Sequence, residues 1–259
     1  MRSFLRKFGS TAFVICQTSR SASAFLSSAE VGLHRFSTTT SACQMTKDSA
    51  TAGKTIRVLA LHGSEGTGDG FNKYLDTLRT ALATNDVTLE VTALDAPFPK
   101  GNGFAWWTMP PGVRSFTAEA YEGFETSASR VCQAWESSSS SSPPFDLVLG
   151  HSQGAILTAA LIALGKIPYH PTKGYILNGV ACPNPYKEQL QSLQIDNKPR
   201  VLFVMGENDN VNPIASAQEV RQGLEQAGME ISVVEHTSGH SFPEDQQDAI
   251  QTITKWLLQ

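Results

Sequence analysis

From Thr55 onward, short apolar runs alternate with longer stretches in which apolar residues recur every three or four positions. Residues 56–61 (Ile-Arg-Val-Leu-Ala-Leu) are dense in aliphatic and β-branched side chains and predict a strand. Residues 71–84 then carry Phe71, Leu75, Leu78 and Leu82 on one helical stripe. The same alternation predicts further strands over 87–94, 145–149, 175–180, 201–205 and 231–235. It predicts further helices over 117–136, 152–164, 213–227 and 243–258. Strands that are apolar almost throughout, each followed by a helix, must be covered on both faces. The pattern therefore predicts an α/β protein with a mainly parallel six-stranded sheet and helices on both faces. In such sheets the reactive groups collect at the carboxyl ends of the strands.

The third of these strands ends in Gly150-His151-Ser152-Gln153-Gly154, and a helix starts at once. Gly-x-Ser-x-Gly between strand and helix is a nucleophile elbow. Its turn is so sharp that a Cβ two residues to either side of Ser152 would clash. The strain lifts the hydroxyl above the sheet at a helix N-terminus, where a developing anion is favoured. A hydroxyl is a poor nucleophile until an imidazole takes its proton and a carboxylate orients that imidazole. In an elbow protein of the α/β-hydrolase fold the chain order is Ser, acid, His. The fifth strand runs into Gly206-Glu207-Asn208-Asp209, just before a helix opened by Pro213, so Asp209 is the candidate acid and Glu207 its alternative. After the sixth strand, Gly239-His240 supplies the candidate base. His236 still lies in the strand run and reads as structural, while His62 and His151 precede the acid and break the order.

Acyl transfer also needs two donors for the charged tetrahedral oxygen. The amide after the nucleophile, Gln153 N–H, is one. Ser64 N–H, in the glycine-rich loop His62-Gly63-Ser64-Glu65-Gly66-Thr67-Gly68 after the first strand, is the other candidate. That loop lacks the Lys-Ser/Thr of a phosphate loop and the spacing of a dinucleotide fold. Trp106 and Trp107 fall in an irregular, Pro- and Gly-rich segment over 95–115, at a strand's carboxyl end. That placement predicts that they overhang Ser152 as substrate-binding walls of an acyl pocket; the alternative is that they anchor the loop. An apolar wall contributes up to ~0.8 kcal/mol per buried methylene. The expected substrates are then neutral acyl esters or thioesters of medium to long chain.

Over about residues 55–258 the chain resembles the FSH family of serine hydrolases. The resemblance is carried by Leu61-His62-Gly63, Ala96-Pro97, Ala105-Trp106-Trp107 and Tyr121-Glu122-Gly123-Phe124-Glu125. Phe145-Asp146 before the elbow, Gly206-Glu207-Asn208-Asp209 and Gly239-His240 with Pro243 complete it. It implies carboxylesterase or thioester-hydrolase activity without metal or organic cofactor, carried by Ser152, Asp209 and His240. Two features depart from the family: His151 stands where the elbow usually has an aromatic residue, typically Phe, and Ser137 to Ser142 form an uninterrupted run. A thioesterase would use the same three residues. A hydrolase-derived ligand-binding protein with little turnover is the reading from another class.

Charge divides the chain. Residues 1–46 hold five basic residues against the single Glu30, a surplus of four, whereas the remainder holds 15 Lys and Arg against 23 acids. The acidic remainder argues against nucleic acid or an anionic membrane surface as partner. No apolar run reaches the ~18 residues of a membrane span. The basic, Ser- and Thr-rich residues 1–50 read as a transit peptide ahead of a hydrolase domain over 51–259, and Arg35-Phe36-Ser37 resembles a mitochondrial processing site. Plastid targeting through Ser23-Ala24-Phe25, a cytoplasmic product starting at Met45, and a disordered tail that targets nothing stay open. Cys16, Cys43, Cys132 and Cys182 are scattered without Cys-x-x-Cys spacing, which argues against a disulfide framework or a zinc site. Nothing in the sequence sets the oligomeric state.

Overall fold

The structure, a computed structural model, describes residues 54–137 and 144–259. The leader and most of the serine run lie outside the described residues. Six parallel strands lie side by side in the order β2-β1-β5-β6-β7-β8: β1 Lys54–Leu61, β2 Val87–Leu94, β5 Leu147–His151, β6 Gly174–Asn178, β7 Arg200–Gly206 and β8 Glu230–His236. Helices α1 Gly68–Tyr74, α2 Asp76–Ala83, α3 Phe124–Ser137, α4 Gln153–Ala163, α5 Lys187–Ser192, α6 Ile214–Gln226 and α7 Gln247–Leu258 connect or follow them. The pleat sorts the core. Along β5, Leu147 and Leu149 join Phe71, Leu75, Ile250 and Trp256 on one face, while Val148 joins Trp106, Ile156 and Tyr175 on the other. Every residue of α4 is buried, which accounts for its run of Ala, Ile and Leu without a polar stripe.

Four predicted elements differ, the helix over 243–258 in that it begins only at Gln247, after a turn in which Gln246 N–H bonds to Pro243 O. The helix over 71–84 is two helices, because Leu75 sits at φ −89°, ψ 1° and its N–H bonds back to Asn72 O. The helix over 117–136 begins only at Phe124. Gly123 has φ +85°, which no right-handed helix accommodates, and a side chain there would enter the Phe98 ring. The segment over 95–115 contains a short antiparallel hairpin, β3 Phe98–Lys100 and β4 Gly103–Ala105.

Asp146 ties the entrance of β5 to β1. Its carboxylate accepts the Arg57 backbone N–H at 2.9 Å, guanidinium N–H groups at 3.0 and 3.1 Å, and the Thr172 hydroxyl at 3.2 Å. Burial alone would raise its pKa, but the bonds from Arg57 outweigh it and hold the carboxyl below its ordinary value. A carboxylate with a depressed folded pKa stabilises the fold above its unfolded pKa, and that stability is lost as pH falls through the folded value. Asp146→Asn should therefore lower the unfolding free energy by ~2 kcal/mol near neutrality. In denaturant titrations the gap to wild type should shrink below about pH 4. A gap of equal size at pH 7 and pH 3 would contradict the assignment.

Candidate active site

The reactive groups gather at the carboxyl ends of β1, β5, β7 and β8. Ser152 has φ 51° and ψ −116°, a backbone conformation that L-residues rarely adopt. Close approach enforces the flanking glycines. A methyl at Gly154 would stand 2.1 Å from Leu61 O, and one at Gly150 would stand 2.6 Å from Ala155 Cα. The helix thus starts directly against β1, and the serine hydroxyl is thrown clear of both.

Ser152 Oγ lies 2.7 Å from His240 Nε2, and His240 Nδ1 lies 2.6 Å from Asp209 Oδ2. The other carboxylate oxygen, Oδ1, accepts the backbone N–H groups of Val211 (2.8 Å) and Asn212 (2.9 Å). Asn212 is buried and its amide donates to Gly179 O at 2.7 Å, which fixes the loop that carries the acid. Burial alone would raise the Asp209 carboxyl, but the bonds from His240, Asn212 and Val211 outweigh it and hold it below the usual carboxylate range. Glu207, the alternative acid, is exposed, while its backbone N–H is spent on His236 O. His236 is buried at the end of β8, as its place in the strand predicts. A hydroxyl, an imidazole and a carboxylate in this order can pass a proton from oxygen to ring while the carboxylate stabilises the resulting cation.

Two amides lie close to Ser152 in the chain or in space: Gln153 follows it, and a methyl at Gly63, the residue before Ser64, would stand 3.1 Å from Ser152 Cβ. Gln153 is the first residue of α4, so its N–H has no intrahelical acceptor. Ser64 N–H is oriented by its neighbours. His62 Nε2 receives the Ala96 N–H at 3.0 Å, so the ring proton sits on Nδ1, which donates to Gly63 O at 2.6 Å. Gly66 N–H reaches the same oxygen at 3.1 Å. Because the 63–64 peptide is planar and trans, two donors on its carbonyl turn the Ser64 N–H the opposite way. No acceptor among the described residues takes the Ser64 or Gln153 amide. Burial lowers the His62 pKa against the opposing pull of Gly63 and Asp95, which keeps that ring neutral and its tautomer fixed.

Trp106 and Trp107 do not line this site. Both are core residues, 0% and 1% exposed, and this corrects the expectation that they form the substrate-binding wall. Trp106 donates Nε1–H to His62 O at 2.8 Å, and Trp107 stacks on Tyr121 with ring centroids 4.2 Å apart. Their backbone is gripped by the Gln153 side chain, whose Oε1 accepts Trp106 N–H (2.9 Å) and whose amide donates to Trp107 O (3.1 Å). The Ser127 hydroxyl donates to Trp106 O. The indoles thus anchor the loop over 95–115 to the elbow, and a chain-length preference resting on them falls with the correction. Sequence reasoning also missed Asn178, whose backbone oxygen takes Ser152 N–H at 2.9 Å and whose side chain meets His151. Its signal was an asparagine in an otherwise apolar buried strand. Among the described residues no cluster of three or more His, Cys, Asp or Glu could hold a metal ion, and no helix is long and apolar enough to cross a membrane.

An all-parallel sheet with a strained serine between strand and helix is the architecture of the α/β-hydrolases. Solved structures agree. An Arabidopsis thaliana SOBER1 structure superposes with a TM-score of 0.61 at 17% identity, covering 79% of this chain and 98% of that one. Esterase PE8 does so at 0.61 and 22%, covering 80% and 93%. Within that class, a model of the serine hydrolase (FSH1) family matches residues 50–252, and the chain belongs to this family. It is 31% identical to the Homo sapiens esterase OVCA2 over 219 residues, 74% of this chain and 91% of that protein. The Mus musculus esterase OVCA2 is 28% identical over 218 residues, again 74% and 91%.

Proposed function

We propose that the protein hydrolyses carboxylic esters of small molecules through an acyl-enzyme intermediate, with Ser152 as nucleophile, His240 as general base and Asp209 orienting the base. The observation that carries this reading is the unbroken Asp209–His240–Ser152 chain, at 2.6 and 2.7 Å, ending on a serine held at φ 51°. As Ser152 Oγ bonds to the ester carbonyl carbon, its proton passes to His240 Nε2. The oxyanion is received by the Gln153 and Ser64 N–H groups, and losing one such donor costs roughly 3–4 kcal/mol of transition-state stabilisation. Collapse breaks the bond to the alcohol oxygen, which takes the proton back from His240. Water then repeats the sequence on the acyl-serine and releases the acid. Membership of a serine hydrolase family and the esterases among the relatives support the ester bond as the target.

The test is covalent labelling by a fluorophosphonate probe, which reacts only with an activated serine. The expected adduct maps to Ser152 by peptide mass; an unlabelled wild-type protein would sink the reading.

Residues 1–50 we assign to import into mitochondria, on their surplus of positive charge and the Arg35-Phe36-Ser37 context. Fused to a fluorescent reporter, this segment should bring it to mitochondria and be removed there. A diffuse cytoplasmic signal or a plastid signal refutes the assignment.

A further inference from the structure

The end of β6 meets all three members of the triad. Asn178, its last residue, accepts the Ser152 N–H on its backbone oxygen at 2.9 Å. Gly179 follows at φ +57°, in the left-handed region that favours glycine. The backbone of Gly179 is held on two sides. Its N–H donates to Val204 O on β7 at 3.0 Å, and its oxygen accepts the Asn212 side-chain amide at 2.7 Å. Asn212 in turn gives its own backbone N–H to Asp209 Oδ1.

The place where a Gly179 side chain would stand is taken by the His240 ring. A methyl there would lie 3.0 Å from Cε1, 3.1 Å from Nδ1 and 3.6 Å from Asp209 Oδ2. Non-bonded carbon atoms settle at about 3.5–4.0 Å, so ring and methyl cannot both keep their positions. With the Gly179 backbone bonded to Val204 and Asn212, the ring is the part that gives way. Its bonds to Ser152 Oγ (2.7 Å) and Asp209 Oδ2 (2.6 Å) are already short, and both weaken as the ring tilts out of line.

We propose that Gly179 is a positioning residue of the triad. Its bare Cα lets the His240 ring lie close enough to the end of β6 to meet Ser152 and Asp209 at once, and a side chain there turns the ring away from both. The proposal rests on the ester-hydrolase reading above.

A left-handed backbone burdens any L-residue, and Gly165 separates that burden from contact with the ring. Gly165 follows α4 at φ +60°, and a methyl there meets nothing within 4 Å. Gly179→Ala and Gly165→Ala therefore share the backbone strain, and only the first touches His240.

The test compares both variants of the full chain with wild type on one short aryl ester. Gly179→Ala should lower kcat by about tenfold to a hundredfold, the scale on which a misplaced catalytic group loses rate, with KM within about threefold of wild type. Gly165→Ala should keep the wild-type kcat, while both variants lose a similar few degrees of thermal midpoint. The His240 Nδ1–H proton, held 2.6 Å from heavy atom to heavy atom against a carboxylate, should stand far downfield in the ¹H spectrum of wild type and of Gly165→Ala. In Gly179→Ala it should move upfield. A wild-type kcat or an unmoved proton in Gly179→Ala overturns the proposal while leaving the hydrolase reading standing. An equal loss of rate in Gly165→Ala does the same. Failure of wild type to turn over the ester overturns both. A last measurement does not depend on any variant folding. In wild type, a nuclear Overhauser effect should join His240 Hε1 to a Gly179 Hα, and its absence overturns the proposal.

Discussion

Ser152→Ala is expected to leave a folded protein whose ester turnover is lower by a factor on the order of 10⁶, the scale on which a serine hydrolase loses kcat with its nucleophile. The Ser152 side chain makes no capping bond to α4; its bond is to His240 Nε2. Removing Oγ therefore takes away the attacking atom and little of the structure. The strained φ of 51° burdens alanine and serine alike, since both carry a Cβ. Circular dichroism and the thermal midpoint should match wild type, fluorophosphonate labelling should vanish, and turnover of a short aryl ester should approach the uncatalysed rate. The two glycines of the elbow offer no comparable experiment. A methyl at Gly154 meets the backbone of β1, so loss of activity there would report unfolding. Undiminished turnover in the alanine variant would remove Ser152 from the mechanism.

The second large effect belongs to the acid. Asp209→Asn should lower kcat by something on the order of 10⁴, the loss that follows when the base is held in the wrong tautomer. The geometry of this loop says why the tautomer changes. Oδ1 already accepts two backbone N–H groups, from Val211 and Asn212, so an asparagine must keep its carbonyl oxygen there. Its NH2 is then turned toward His240 Nδ1, which becomes an acceptor. The ring proton moves to Nε2, where it faces the Ser152 hydroxyl and cannot receive that hydroxyl's proton. Glu207→Gln alters an exposed carboxylate outside this chain of bonds and should change kcat by no more than about threefold, as for a surface charge. Stopped-flow acylation and steady-state kcat on one ester measure both variants. A reversal, with Glu207→Gln crippling and Asp209→Asn mild, would reassign the acid.

The parts of this protein that the sequence determined by itself are those written in local terms. The parallel sheet follows from apolar runs of strand length alternating with helical stripes, and all six strands fall where those runs lie. The elbow follows from two glycines at fixed offsets from Ser152, because their constraint comes from the turn itself. Asp209 and His240 follow from position, each in a glycine-containing loop after a strand that ends at the same edge of the sheet. What only the tertiary structure decided depends on residues distant along the chain. Whether Trp106 faced a substrate or the core turned on Gln153 and His62, which hold it from 47 and 44 positions away, and no periodicity in residues 95–115 records those partners. Gln153 was legible as a backbone amide after the nucleophile, but not as the side chain that grips Trp106 and Trp107. The tautomer of His62 is set by an amide 34 positions on. Periodicity reports which face of an element is buried. It carries no record of which polar atom meets which, because hydrogen-bond direction is settled only when the strands and loops have been brought together.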